Sequence, residues 1–183
     1  MNIPERLEKL REQMAAEGID VYVVPTADYH QSEYVGEHFK ERMYITGFTG
    51  SAGTAVITKT EARLWTDGRY FIQAAKQLEG STVELMKMGE PGVPTLNAWL
   101  EENLPEGGVL GFDGRTVSMG EGQAYAEIAD GKNGKVVYEF DLIDRIWEDR
   151  PALSEEPVFE LGVEYAGETA ESKLSRIREE MKK

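Results

Sequence analysis

Few residues in this chain have the type and spacing for chemistry. Asp67-Gly68-Arg69 sets a carboxylate and a guanidinium on either side of a glycine, between an apolar run and a helix-like segment. Three roles fit this triplet: a catalytic pair, a charged turn, or an arm that serves chemistry done elsewhere. Asp67, Asp113 and Asp141 each fall at or near the end of a strand-like run, where α/β sheets often keep catalytic carboxylates. Two such groups could hold Mg²⁺ for a nuclease, although turn formation explains all three as well. His30 and His38 are the only histidines, with Glu33, Glu37 and Glu41 nearby. Gly36 interrupts that segment and the ligand spacings of a metal site are missing, so a structural or surface role is expected and no metal ligand is assigned.

Gly47, Gly50 and Gly53 in "GFTGSAGT" have the density of a phosphate loop. No Lys-Ser or Lys-Thr pair follows to neutralise a phosphate, and a strand-like run comes next rather than a helix. A tight turn that admits close backbone approach is the expectation. Ser51 lacks the G-x-S-x-G elbow of an activated nucleophile. With no cysteine in the chain, thiolate catalysis, thiolate metal sites and disulfides are excluded. The sequence thus assigns no catalytic residue.

The elements that must position these residues read as α/β. Ile3, Leu7, Leu10 and Met14 form a helical stripe that Gly18 ends, and "IDVYVVP" follows as a buried strand. "TAVITKT" and "ARLWTDG" read as a hairpin turning at Lys59-Thr60-Glu61, then "RYFIQAAKQL" as a helix and "STVELMKMG" as a strand. Thr95 caps a helix over "LNAWLEENL"; strand "VLGFD", helix "EGQAYAEIAD" and strand "KVVYEFD" follow. "LIDRIWED" is expected to add a last helical turn or two, with Ile143, Ile146 and Trp147 packing inward. Residues 1–150 make one domain on this reading, 151–168 a linker rich in acid and proline, and 169–183 the first helix of a second, truncated domain. That helix has an apolar side it cannot bury alone, so the sequence reads as the front of something longer. No internal repeat is evident.

The 183 residues are 40% hydrophobic and 30% charged, a globular composition. Twenty Lys and Arg against 34 Asp and Glu give a net charge of −14, which disfavours nucleic acid and anionic membrane as partners. The charged N-terminus has no apolar signal segment, so a cytoplasmic setting is expected.

Five segments in register carry a resemblance: "HQSEY" (30–34), "GFTGSAGTAVIT" (47–58), "LWTDGRYFIQAAKQL" (64–78), "LMKMG" (85–89) and "IWEDRP" (146–151). Together they resemble the N-terminal region of the three-domain aminopeptidase P family, the cytosolic X-prolyl aminopeptidases. The resemblance implies a creatinase/prolidase N-terminal fold, a mixed sheet flanked by helices and often called ribonuclease-H-like. It implies a parent metalloenzyme that releases the N-terminal residue of peptides with proline second, and a homodimer held largely by its catalytic domain. The cofactor it implies is two Mn²⁺ ions, or another divalent pair, bound by two Asp, one His and two Glu of a C-terminal domain whose motifs are not in this sequence. This chain alone is therefore expected to hold no metal and to be inactive, while shaping the substrate site and assisting assembly. One residue carries over: the arginine of the family's D-G-R-Y motif, associated with peptide binding, matches Arg69. The residues leave open whether Arg69 reaches substrate or braces its own turn. The alternatives are a free-standing binding module with the same fold and, more distantly, a ribonuclease-H-like nuclease.

Overall fold

The computed structural model describes residues 1–183, which form two compact units, Met1–Ala152 and Leu153–Lys183. The first unit opens with helix α1 (Ile3–Glu17). Asn2 and Glu5 cap it reciprocally, each side chain accepting from the other's backbone N–H. Gly18 ends it at φ 68°, the left-handed conformation that glycine adopts without a Cβ penalty. The chain then runs through β1 (Val21–Pro25), a 3₁₀ turn (Glu37–Phe39), α2 (Glu41–Thr46), β2 (Thr54–Thr58) and β3 (Ala62–Thr66). It continues through α3 (Phe71–Gln77), β4 (Glu84–Lys87), α4 (Leu96–Asn103), β5 (Val109–Phe112), α5 (Met119–Asp130) and β6 (Lys135–Val137).

The six strands order as β4-β3-β2-β1-β5-β6. Only β2 runs against its neighbours, forming a hairpin with β3 and an antiparallel pair with β1. The other pairings are parallel. The expected mixed sheet flanked by helices is the one observed. The hairpin turns at Lys59-Thr60-Glu61 without an Asn-Gly pair, because the Thr58 hydroxyl accepts from the N–H groups of Thr60 and Glu61.

Alternation along the strands divides the core between the two faces of the sheet. Tyr22, Val24, Ile57 and Leu64 pack with Leu7, Leu10 and Met14 of α1 and Ile45 of α2. Val21, Val23, Val56 and Trp65 pack with Trp99 and Leu100 of α4 and Tyr125 and Ile128 of α5. Each fully buried aliphatic side chain contributes about 1.5–3 kcal/mol relative to exposure, so this layering carries the stability.

Two expectations change. Residues 142–146 form successive turns with one helical bond, from Trp147 N–H to Ile143 O at 3.0 Å, rather than a continuing helix; Ile143 and Ile146 bury as expected, and Trp147 stacks on Tyr44 at 4.5 Å. The Tyr22 hydroxyl donates to Phe140 O at 2.8 Å and accepts from Leu142 N, and the Tyr44 hydroxyl donates to Ile146 O. These side-chain bonds meet backbone groups at the two ends of the segment that short turns leave without a backbone partner. In the second unit, a short helix, α6 (Val163–Ala166), lies inside the segment expected to be a linker. There α7 (Ala170–Glu180) is capped by Thr169 and leaves Leu174, Ile177 and Met181 exposed.

Candidate functional site

Because β1, β3 and β5 run in one direction and β2 in the other, the loops after the first three and the loop before β2 gather at one end of the sheet. In open α/β sheets this is the end that binds ligands. Asp67-Gly68-Arg69 leaves β3 there. Asp67 Oδ1 accepts from the Arg69 backbone N–H at 3.0 Å and from Arg69 Nε at 2.9 Å, and Oδ2 accepts from Nη2 at 2.9 Å. One carboxylate thus shapes the turn and aims the guanidinium at once. These bonds hold Asp67 below the usual carboxylate range and keep Arg69 protonated well above its own. The Arg69 side chain is 62% exposed, and Glu33 of the loop after β1 is close enough to add to its field.

A glycine-rich loop supports the corner. Gly50 packs so closely that a Cβ would stand 2.3 Å from Phe48 Cζ and 2.8 Å from Tyr70 Cδ1, so no larger residue fits there. Phe48 meets Tyr70 edge-on, and the Ser51 and Tyr70 hydroxyls bond at 2.7 Å. That bond lowers the Tyr70 pKa. The loop itself is stapled by Arg42, a residue that sequence reasoning missed. Its Nε donates to Thr26 Oγ1, and its Nη groups donate to the carbonyls of Phe48 and Gly50. A lone arginine beside the apolar run "MYITGF" was the available signal. Beside this support lies a cavity of about 550 Å³ whose wall includes Glu33, Tyr34, Arg42, Thr49 and Ser51.

The other residues singled out from sequence do not join this corner. His30 lies in the exposed loop after β1, its N–H bonded to Asp28. The His38 ring bonds the carbonyl of Pro151 through Nδ1. Asp113 and Asp141 come together with Glu41, their oxygens within 4.8 Å of one another. Arg150 bonds Glu41 and Asp141, and Arg115 bonds Asp113 and Asp141. Burial, then the neighbouring Asp141, pushes the Glu41 pKa up to about 8. Two guanidinium groups thus bridge the three carboxyl groups in pairs, and the cluster is tied by arginines. Its sequence signal was a second Asp-Gly-Arg at 113–115.

Comparison with known proteins accounts for this architecture. Residues 6–146 match the Creatinase/Prolidase N-terminal domain. The chain belongs to that family. Within it, the chain is 42% identical over 184 residues to "Aminopeptidase P2" of Arabidopsis thaliana, covering 98% of this chain and 26% of that protein. It is 44% identical over 180 residues to "Probable Xaa-Pro aminopeptidase P" of Talaromyces marneffei, covering 97% and 27%. The X-prolyl aminopeptidase of Caenorhabditis elegans, described as a cytosolic enzyme with a di-nuclear active site, superposes with a TM-score of 0.88 at 36% identity. That match covers 100% of this chain and 31% of the nematode chain. This creatinase/prolidase N-terminal chain therefore spans between a quarter and a third of the length of these relatives. The resemblance read from five short segments holds.

Proposed function

We propose that the chain is the N-terminal domain of an Xaa-Pro aminopeptidase and that Arg69 is its contact with the peptide substrate. The observation that carries this reading is the Arg69 fork, fixed by Asp67 yet open to solvent at the ligand-binding end of the sheet. A planar guanidinium held in one orientation suits a peptide carbonyl or carboxylate and keeps its charge at any working pH. Because Asp67 fixes the rotamer beforehand, little side-chain freedom is lost on binding.

The metal centre of such an enzyme is assigned, on this reading, outside these residues. The chain's closest gathering of ligand-type groups, Glu41, Asp113 and Asp141, is largely buried and already engaged by arginines. On this proposal the divalent metals act in another part of the parent protein, this domain limits and orients the substrate, and the setting is cytosolic.

Kinetics of the full-length protein on an Xaa-Pro peptide test the reading. Arg69→Ala is expected to lower kcat/KM roughly ten- to a hundredfold, the range for losing one charged hydrogen-bonding contact, with no shift in unfolding midpoint. Kinetics equal to wild type would make Arg69 a brace for its own turn.

A further inference from the structure

Arg42 is 4% exposed, and every hydrogen-bond partner it has is neutral: one hydroxyl and two carbonyls. Arg150, whose side chain is 6% exposed, is met instead by Glu41, Asp141 and Asp144. An enclosed charge without a counter-charge is costly to fold around. Burial draws the Arg42 pKa down to about 10, which still leaves it protonated at neutral pH. The three bonds use three of its five N–H groups.

Arg42 stands in the wall of the 550 Å³ cavity together with Lys40, and Glu33 is the one acid there. Lys40 is paired with Glu37 outside that wall. With Lys40 matched by Glu37, the lining balances Arg42 against Glu33, and in a chain of net charge −14 a locally neutral cavity admits an anion more readily than the surrounding acidic surface. Val35, Phe39 and Met43 give the remainder of the wall an apolar surface, and the volume is that of an ordinary small-ligand site.

We propose that this cavity is a carboxylate-accepting subsite for the downstream end of a short peptide, whose anionic group supplies the counter-charge that Arg42 lacks. The proposal rests on the reading of Arg69 as a peptide contact. Ser51 in the cavity wall shares a hydrogen bond with Tyr70, the neighbour of Arg69, so one hydrogen bond links the cavity wall to the Arg69 turn. Both a terminal carboxylate and an acidic side chain have the required chemistry.

The test is the ratio of kcat/KM values for one full-length enzyme on an Xaa-Pro tetrapeptide as the free acid and as its C-terminal amide. A third peptide, the amide ending in Glu, separates the two sources. The acid is expected to be preferred about tenfold, as for one charge-assisted contact. Recovery with the Glu amide would assign the subsite to any carboxylate, and no recovery would assign it to the terminus. Arg42→Gln is expected to bring the ratio close to one. Because both peptides meet the same enzyme sample, the ratio is insensitive to the fraction folded. If Arg42→Gln does not fold, Lys40→Gln decides: a ratio lowered severalfold supports the subsite, and an unchanged one overturns it. Equal rates on acid and amide in the wild type, or a preference that survives Arg42→Gln, also overturn it. Arg69→Ala should slow all three peptides by one factor. If it slows none, the reading of Arg69 has failed, whatever the acid-to-amide ratio shows.

Discussion

Asp-Gly-Arg closes β3 at residues 67–69 and β5 at residues 113–115, and it folds the same way twice. In each case the aspartate accepts from the backbone N–H two residues on and from the arginine Nε and Nη2. The arginine side chains are similarly open, 62% and 57% exposed. The aspartates are not: the Asp67 side chain is 36% exposed and that of Asp113 is 4%. Behind Asp67 lies the glycine loop. Behind Asp113 lie Asp141, Glu41 and Arg150, and Arg115 already divides its bonds between Asp113 and Asp141. Local sequence therefore sets the turn, while burial of the carboxylate sets its use. The first corner leaves a guanidinium edge open to solvent, and the second ties loops together.

The largest expected effect tests the second corner as a tie. Arg150→Ala removes the shared partner of Glu41 and Asp141, leaving the Asp141 charge and the Glu41 carboxyl enclosed without that donor, so it should destabilise by about 3–5 kcal/mol, measured by denaturant unfolding. A cost below that of an exposed ion pair would make the network incidental. The same corner should carry an alkaline signature. Glu41 is held at about 8 in the folded protein against an ordinary 4.5, so between those values the folded state keeps a proton that the unfolded state releases. Its contribution is full below pH 4.5, falls as pH rises through that window and is lost above 8. Unfolding midpoints from pH 5.5 to 9 should fall more steeply in the wild type than in Glu41→Gln. Parallel profiles would mean that Glu41 is ionised throughout. The first corner has the opposite sign, since Asp67 is held below its usual range and loses its contribution only on acidification.

The difference between the corners also marks where the sequence stops being legible. The stripe in α1, the short apolar runs of β1 to β3 and the Thr95 cap are local patterns, and each is seen in the fold. The helix α2 had no such pattern. Its Ile45 and Thr46 are β-branched and both are buried, so tertiary packing makes this helix rather than propensity. Arg150 and Glu41 are 109 residues apart, and no periodicity connects them. Arg69 could be picked out because its turn is complete within three residues. What Arg42 does depends on three carbonyl or hydroxyl groups from two other loops. The repeated triplet was readable throughout, but its two roles were not, because burial does not show in three letters.

A middle-sized effect tests the support of the first corner. Gly50→Ala places a Cβ against the rigid rings of Phe48, which is fully buried, and Tyr70, which is half-buried. Overpacking of this kind costs about 1–3 kcal/mol, and the shifted Tyr70 should carry Arg69 with it. The variant should therefore lose stability and raise KM for an Xaa-Pro peptide together. Loss of stability with unchanged KM would separate the glycine loop from the substrate contact.

The smallest structural effect is expected where the functional one is proposed. Arg69 is exposed and bonds a single carboxylate that water can also solvate, so neither Arg69→Ala nor Arg69→Lys should move the unfolding midpoint measurably. The two should still differ in kinetics. Lysine keeps the charge but has no planar fork, so it cannot hold both oxygens of Asp67 and present a fixed edge outward. If orientation is what the corner supplies, Arg69→Lys should lose most of the kcat/KM that Arg69→Ala loses. If charge alone matters, Arg69→Lys should retain most of it, and Asp67 would then be only a turn former. Asp67→Asn, which keeps the turn-forming acceptor but weakens the fork, should follow Arg69→Lys in the first case and the wild type in the second.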